Sequence, residues 1–163
     1  MASIMILCTA NMCRSPMAEV LLRQKLQQRM DTADWRVESA GTWTIIGRSV
    51  APKTLEVMER LFSLDLSTHH SRLVSRSLLR PFDLILVMEA GHKEAIGVEY
   101  PELVSRVHLL YEMVGQIRNV TDPIGGTTKD FEDTAYELDT ILSQGLEKII
   151  QLAGGEKQEE AGC

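Results

Sequence analysis

The stretch CTANMCRSP at residues 8–16 decides the fold of this chain, because it follows directly on the apolar run IMIL at residues 4–7. The run has the length and composition of a buried strand. Ser15 is a good helix cap and Pro16 suits the first turn of a helix, and the apolar residues that follow share one helical face: Ala18, Leu21, Leu22 and Leu26. The sequence therefore predicts a strand, a short loop, and a helix that runs to about Met30.

The rest of the chain alternates strand-like and helix-like segments without an internal repeat. The predicted strands lie at 35–39, 82–88 and 107–110, and the predicted helices at 52–62, 90–96 with Gly97 as the end, and 131–153, the last with about six turns. Such an alternation favours an α/β fold of three layers, a four-stranded parallel sheet with helices on both faces. In that fold the loop after the first strand is the usual seat of a phosphate.

The composition limits the kind of protein that this chain forms. Its 163 residues, 44% of them hydrophobic, predict one domain at residues 1–153, and the polar segment 154–163 is predicted to be a disordered tail. A net charge of -6 argues against a nucleic-acid partner or an anionic membrane surface. No segment has the length of a membrane span and no signal peptide is evident, so we expect a cytoplasmic protein.

The cysteines and histidines do not indicate a metal site or a disulfide framework. Cys8, Cys13 and Cys163 lack the spacing of zinc ligands, and none of the four histidines is joined by carboxylates at ligand spacing. We therefore expect reduced thiols, with no metal and no cofactor.

The loop at residues 8–15, called the cysteine loop below, carries the groups that an oxyanion requires. It contains no GxxxxGK[ST] or GxGxxG pattern, so it is not a nucleotide-binding loop. Amides of a tight loop and of a helix N-terminus bind anions, and the predicted phosphate-binding residues are Thr9, Ala10, Asn11, Met12, Cys13, Arg14 and Ser15. Five residues separate Cys8 from Arg14, which allows both ends of the loop to point at one centre.

Within this loop the chemistry of a covalent phosphatase can be assigned to two side chains. A thiolate is favoured beside a helix N-terminus and a cation, and the sequence predicts both for Cys8. Arg14 has the planar fork that holds two oxygens of a phosphoryl group, and Ser15 is placed to donate its hydroxyl to the thiolate. Cys8 is therefore the candidate nucleophile.

Cleavage of a phosphomonoester also needs an acid that protonates the leaving oxygen. Asp122 is the best candidate, because it precedes a proline in the polar, turn-rich segment 118–130, in a loop predicted at the same sheet edge as Cys8. The same carboxylate can then activate the water that hydrolyses a phosphocysteine. We call residues 121–126, TDPIGG, the DP loop.

Each of these residues also has a plainer interpretation. A lone cysteine at a strand end is more often a packed core residue, Asp122-Pro123 is a common turn, and a lone Trp43 is more often packing than a pocket wall. Cys13 is either packing or a partner for a reversible disulfide with Cys8. The combined placement of Cys8, Arg14, Ser15 and Pro16 favours the catalytic interpretation.

These residues resemble the low-molecular-weight protein tyrosine phosphatase family, whose signature is a near-N-terminal CxGNxCRSP and a late Asp-Pro loop. The resemblance covers most of the chain: CTANMCRSP at 8–16, SAGT at 39–42, HHSR at 69–72, FDLILVM at 82–88 and TDP at 121–123. It implies the four-stranded parallel fold and phosphorylated proteins as substrates. It also implies Cys8 as nucleophile, Arg14 as phosphate clamp, Asp122 as general acid and then base, and a loop supported by hydrogen bonds from Asn11, Ser15, Ser39 and His69.

Two departures from the family pattern bear on rate and substrate. Ala10 stands where the family usually has glycine, so alanine stores strain there if the position needs a positive φ. The DP loop carries Ile124-Gly125-Gly126 where tyrosine-directed members commonly have aromatic residues, which resembles bacterial protein arginine phosphatases.

Those arginine phosphatases carry a threonine at the position of Met12, and an apolar Met12 suits an aromatic ring better. With Met12, Trp43 and Ile124 as the substrate pocket, the sequence favours phosphotyrosine, with phosphoarginine as the alternative. Two less favoured functions are an arsenate reductase, which would need relay cysteines that are absent between Cys13 and Cys163, and a non-catalytic phosphate-binding module.

Overall fold

The computed structural model describes residues 2–29 and 35–155, and its centre is a parallel sheet of four strands in the order β2-β1-β3-β4. The strands are β1 Ala2–Cys8, β2 Trp35–Gly41, β3 Leu84–Val87 and β4 Val107–Leu109. In register, Cys8 at the end of β1 lies opposite Gly41 of β2, and Leu7 lies opposite Val87 of β3. The four predicted strands and their parallel arrangement are confirmed.

Helices cover both faces of the sheet. The helices are α1 Arg14–Gln27, α2 Pro52–Phe62, α3 Arg76–Leu79, α4 Ala90–Glu99, α5 Thr128–Gln144 and α6 Leu146–Ile150. Two 3₁₀ segments, Pro101–Arg106 and Leu110–Val114, flank β4, and a π-helical turn Gln151–Gly155 closes the described chain.

Alternate side chains along β1 belong to two separate hydrophobic cores, one on each face of the sheet. Ile4 and Ile6 pack with α1, α2, α5 and α6, whereas Met5 and Leu7 pack with α3 and α4 on the opposite face. Successive side chains of a strand point to opposite faces, so one buried strand contributes to both layers. This confirms the three-layer α/β arrangement.

Several element boundaries differ from the sequence prediction. Gly97 does not end α4, which continues to Glu99 and stops just before Pro101, because a residue before proline disfavours the helical conformation. Ser15 is not the cap of α1; Cys13 is, and Ser15 lies inside the first turn. The helix α1 ends at Gln27, and Met30 lies outside the described residues.

The long C-terminal helix predicted at 131–153 is two helices in the structure. Gly145 separates α5 from α6, and a Cβ at this position would lie 2.7 Å from the Cβ of Met113 and 3.0 Å from its carbonyl oxygen. The close approach of the Leu110–Val114 segment thus requires glycine at the position where the regular helix is interrupted. Gly154 and Gly155 belong to the closing turn, and the predicted tail from residue 156 lies outside the described residues.

Candidate active site

The cysteine loop lies at the place where the strand order of the sheet changes direction. The strand β1 is flanked by β2 on one side and β3 on the other, and the crevice beyond the ends of such strands is where open α/β sheets bind ligands. The loop leads from Cys8 to the N-terminus of α1, and α4 begins directly after β3 at the same edge. The first-turn amides of α1 have no acceptors within the helix and are therefore available to an anion.

Asn11 shapes the backbone of the loop. Its φ of 57° is left-handed, a conformation that asparagine tolerates better than most residues. Its amide N–H donates to Cys8 Sγ at 3.3 Å, and its carbonyl oxygen accepts from Nε2 of His69 at 2.9 Å. The backbone of Asn11 therefore turns a donor towards the sulfur while His69 holds the other side of the peptide.

The side chain of Asn11 connects the loop to β2. Its Nδ2 donates to Ser15 Oγ at 2.8 Å and to Ser39 Oγ at 2.9 Å, and its Oδ1 accepts from the backbone N–H of Arg72 at 3.0 Å. Asn11 is fully buried, and unsatisfied polar groups are costly there. The structure thus brings together all four residues to which the sequence assigns loop support.

The sulfur of Cys8 lies 3.0 Å from Ser15 Oγ, in addition to the amide of Asn11. Because Ser15 Oγ already accepts a hydrogen bond from Asn11 Nδ2, its own proton is directed towards Cys8 Sγ or towards the carbonyl oxygen of Ala40 at 3.5 Å. The sulfur is the nearer acceptor. Two donors therefore converge on Cys8, the arrangement that stabilises a thiolate.

The backbone strain that Ala10 would have with a positive φ is absent from the structure. In the described part of the chain the residues other than glycine with positive φ are Asn11 and Ser63, so Ala10 needs no left-handed conformation. The glycine requirement lies across the sheet instead, at Gly41, where a Cβ would stand 2.5 Å from the carbonyl oxygen of Thr9. Gly41 permits the loop to approach the end of β2 closely.

Arg14 is almost completely buried, with 2% of its surface exposed. Its Nη1 donates to the carbonyl oxygen of Val120 at 2.8 Å and pairs with Oε1 of Glu89 at 3.2 Å, and its Nη2 lies 3.4 Å from Oδ2 of Asp122. A buried charge needs such compensation. Nη1 is thus held by the protein, whereas the edge that contains Nη2 faces the DP loop.

Each carboxylate oxygen of Asp122 has a contact that holds the side chain in place. Its Oδ1 accepts from the backbone N–H of Ile124 at 3.0 Å, while Oδ2 pairs with Arg14. Gly125 has a φ of 81°, and a Cβ on Gly126 would lie 2.9 Å from the carbonyl oxygen of Pro123, so the two glycines make the turn possible. The side chain of Asp122 is 40% exposed, which leaves it reachable from solvent.

Cys13 differs from Cys8 in its surroundings. Burial raises the pKa of its thiol to about 12; the nearby charges of Cys8 and Asp122 act in the same direction, and Arg14 opposes them. The Cys13 thiol is therefore protonated at neutral pH. Cys8, Arg14 and Asp122 thus lie near enough to Cys13 to influence the pKa of its thiol.

The residues assigned to the substrate pocket lie on three different segments. Trp43 is 81% exposed and Ile124 is 52% exposed, whereas Met12 is partly buried. The Trp43 segment is tied to the cysteine loop, because the amide of Trp43 donates to Thr9 O at 3.0 Å and the amide of Ala51 donates to Met12 O at 3.1 Å. The exposure of Trp43 is inconsistent with a role in core packing.

Sequence reasoning missed Glu89 and His92, which reach the cysteine loop from the start of α4. His92 lies 2.8 Å from Thr9 Oγ1 and Glu89 pairs with Arg14. It also missed Arg72, whose guanidinium donates to Ser39 O and pairs with Glu38 at 2.8 Å. For Glu89 and His92 the available signal was their position in MEAGH at residues 88–92, directly after the clearest buried strand.

Within residues 2–29 and 35–155, no group of three or more His, Cys, Asp or Glu side chains is arranged as a metal-binding set. None of the described helices combines the length and the apolar character that a bilayer crossing requires.

Comparison with known proteins agrees with this geometry. The model of the low molecular weight phosphotyrosine protein phosphatase family matches residues 3–153. The chain belongs to this family. Membership makes it a cysteine-dependent protein phosphatase, a hydrolase, and the family acts on phosphorylated proteins.

The relatives of this phosphatase include proteins named for two different substrates. The low molecular weight protein-tyrosine-phosphatase Ptp of Acinetobacter johnsonii is 31% identical over 147 residues, which is 90% of this chain and 97% of Ptp. The protein-arginine-phosphatase of Bacillus subtilis is 32% identical over 143 residues, 86% of this chain and 92% of the relative. The crystal structure of a YwlE mutant from Bacillus subtilis superposes with a TM-score of 0.85 at 28% identity, covering 91% of this chain and 99% of that one.

Proposed function

We propose that this phosphatase hydrolyses phosphotyrosine phosphomonoesters through a phosphocysteine intermediate. The observation that carries the proposal is the ion pair between Arg14 of the cysteine loop and Asp122 of the DP loop. It joins two segments that are distant in sequence, and one of them is the loop that begins with Cys8. A nucleophile, a cation for the phosphoryl oxygens and a carboxylic acid for the leaving group then share one crevice.

In the first step the phosphoryl group takes the place of Asp122 on Nη2 of Arg14, and Asp122 is in its protonated form. The Cys8 thiolate attacks phosphorus, the bond from phosphorus to the phenolic oxygen breaks, and the protonated Asp122 gives that oxygen its proton. Arg14 binds two phosphoryl oxygens through Nη2 and Nε while Val120 O and Glu89 keep Nη1. The amides of residues 9–15 bind the remaining charge.

In the second step Asp122, now ionised, takes a proton from water, and the water oxygen attacks phosphorus. The bond between sulfur and phosphorus breaks, inorganic phosphate leaves, and the thiolate of Cys8 is restored. Ser15 supports the departure of the sulfur because its hydroxyl donates to it. Neither step requires a metal or a cofactor.

The substrate assignment depends on the rim of the crevice. Met12 and the exposed indole of Trp43 offer apolar surface to a phenyl ring, with Ile124 on the DP loop as the third contact. The alternative substrate is phosphoarginine, which is supported by the Ile124-Gly125-Gly126 turn and by the protein-arginine-phosphatase among the relatives. We place the phosphatase in the cytoplasm, acting on phosphorylated proteins, with no nucleic-acid, membrane or metal partner.

Cys8→Ser tests the nucleophile. The variant should bind vanadate with an affinity close to that of the wild type, because Arg14 and the loop amides are retained, but turnover of p-nitrophenyl phosphate should fall to background. Retained turnover by the variant would remove Cys8 from the mechanism. If the wild-type protein itself binds vanadate but does not turn over p-nitrophenyl phosphate, the protein is a phosphate-binding module. Arsenate-dependent consumption of thiol reductant would instead identify a reductase.

Competition between two peptides of the same sequence, one with phosphotyrosine and one with phosphoarginine, decides the substrate. We expect a higher kcat/KM for the phosphotyrosine peptide, because specificity is the ratio of these values. Trp43→Ala should reduce that preference. A higher kcat/KM for the phosphoarginine peptide would reverse the assignment and leave the mechanism at Cys8 intact.

A further inference from the structure

A chain of polar side chains links Arg14 to the first residue of the cysteine loop. Oε1 of Glu89 lies 3.2 Å from Arg14 Nη1, and Oε2 of Glu89 lies 3.4 Å from Nε2 of His92. The same Nε2 is 2.8 Å from Oγ1 of Thr9. His92 is 5% exposed, so the histidine end of this connection is shielded from water, whereas the side chain of Glu89 is 34% exposed.

The backbone fixes the tautomer of His92. The amide N–H of Glu89 donates to Nδ1 of His92 at 3.2 Å, so Nδ1 must carry a lone pair. The proton of the neutral ring is therefore on Nε2, where it is donated to Thr9 Oγ1. Because the threonine oxygen accepts this bond, its position relative to the ring is fixed as well.

The charged groups that face the ring come from three elements. Arg14 belongs to α1, Asp122 to the DP loop, and Glu89 precedes His92 at the start of α4. Burial lowers the pKa of His92 below 6.5, Arg14 acts in the same direction, and Glu89 and Asp122 oppose them. His92 is thus neutral at pH 7 and keeps the tautomer that the contacts require.

We propose that His92 is a positioning residue for phosphate binding, which joins the Glu89–Arg14 pair to Thr9 so that the guanidinium and the cysteine loop keep one relative geometry. The proposal rests on the proposed function, because it assigns a role in the same site. The polar contacts of the His92 ring are with Thr9 and Glu89, and it acts through these two residues. The oxyanion then meets donors from Arg14 and from the loop at fixed distances.

Protonation of His92 disrupts this arrangement. A proton on Nδ1 would face the amide N–H of Glu89, so two donors would oppose each other and the contact would be lost. The cationic ring would also attract the Glu89 carboxylate away from Arg14. Phosphate binding should therefore weaken as His92 becomes charged below neutral pH.

Three variants test the proposal: His92→Leu, His92→Gln and, as a matched control, His108→Gln. His108 lies on β4, and burial lowers the pKa of His108 as it does that of His92, but its charged neighbours are Glu112, Lys93 and Lys148 rather than the residues of the site. The readouts are KM and kcat for p-nitrophenyl phosphate, vanadate affinity by calorimetry, and the pH dependence of kcat/KM.

We expect His92→Leu to raise KM and the vanadate dissociation constant about tenfold with a smaller change in kcat, because oxyanion donors lose their alignment. His92→Gln keeps an N–H donor for Thr9 and should recover most of the affinity at pH 7. Since glutamine does not titrate, this variant should also lose the decline in kcat/KM that wild type shows as His92 is protonated. His108→Gln should match wild type throughout.

The proposal fails if His92→Leu binds vanadate as wild type does, or if the pH profiles of His92→Gln and wild type coincide. Should His92→Leu not fold, the pH profile of His92→Gln decides. Vanadate affinity separates this proposal from the proposed function. If wild type binds vanadate without turnover, the catalytic proposal fails, and a comparison of vanadate affinity across pH in wild type and His92→Gln still judges His92.

Discussion

Asn11 illustrates how much one residue contributes to the cysteine loop. Its left-handed backbone turns the peptide N–H towards Cys8, and its side-chain amide uses both Nδ2 and Oδ1 to hold the loop on β2. Glycine would accept the backbone conformation but lose the side-chain bonds, whereas most larger residues would resist the conformation. Asparagine satisfies both requirements, which explains why this residue type stands at this position.

The substitution Asp122→Asn tests whether Asp122 donates a proton to the leaving oxygen. The amide keeps the size of the side chain and can still accept from Ile124, but it cannot protonate a leaving oxygen. We expect kcat/KM for phosphotyrosine peptide, which reports the first step and not the hydrolysis of phosphocysteine, to fall about a hundredfold. The loss should be smaller for activated aryl phosphates, whose leaving groups need no proton, and a series of phenols of different acidity measures this. Equal losses across the series would contradict the role of Asp122.

For Cys13, the raised pKa of about 12 predicts the pH dependence of disulfide formation. A short peroxide pulse converts the Cys8 thiolate to sulfenic acid, which a Cys13 thiolate then attacks with loss of water. The rate of this second step should rise about tenfold per pH unit above neutrality, because the thiolate fraction does so below the pKa. Peptide mass mapping after removal of peroxide measures the rate of disulfide formation between Cys8 and Cys13. The experiment is done in a Cys163→Ser protein, and a variant that also carries Cys13→Ser is the control. A rate independent of pH would contradict the prediction.

At the scale of elements, helix ends are decided by the residues that can leave the helix. The helix α2 ends at Phe62, and Ser63 follows with a left-handed φ of 55° while its amide still donates to Glu59 O at 3.0 Å. Glycine is the usual residue at such a cap because it has no Cβ. Serine at this position therefore costs conformational energy that the packing of α2 compensates.

Ser63→Gly should accordingly raise the free energy of unfolding by up to about 1 kcal/mol. The same substitution at Ser143, an exposed position in the last turn of α5, should lower the free energy of unfolding by up to about 0.5 kcal/mol, because glycine is a poorer helix former than serine. Urea denaturation of both variants measures the difference. Destabilisation of similar size at both sites would contradict the interpretation of the α2 cap.

At the scale of the whole molecule, ionisable groups on different elements couple folding to acid. Burial opposes the charge on Glu38, but hydrogen bonds from Arg36 and Arg72 outweigh it and lower the pKa of that carboxyl below 4.5. Burial lowers the pKa values of His92 and His108 below 6.5. In all three cases the unfolded chain takes up the proton at a higher pH than the folded chain does.

The sign of the effect follows from this difference in proton uptake. The histidine contribution to the free energy of unfolding is complete above pH 6.5 and is lost as the pH falls below it, and the Glu38 contribution is complete above pH 4.5 and is lost below that. Thermal unfolding from pH 7.5 to pH 4 should show both declines. The double variant His92→Gln with His108→Gln should flatten the upper one, and an unchanged upper decline would contradict the assignment.

The sequence by itself determined the layers of the fold and the main residues of the site. The periodicity of the apolar residues distinguishes strands from helices locally, and buried parallel strands with helices between them have one common arrangement. The spacing of Cys8 and Arg14 is also local, because both lie in a single short loop. These features depend on neighbours in the chain, so they are readable from it.

The tertiary structure alone decided which distant residues meet. The interruption at Gly145 depends on the approach of Met113, and the glycine at position 41 on the approach of Thr9. The links of Arg14 to Glu89 and Val120, and of Thr9 to His92, join segments far apart in the chain. Such contacts depend on how strands are ordered and how closely backbones pack, and local patterns do not determine either.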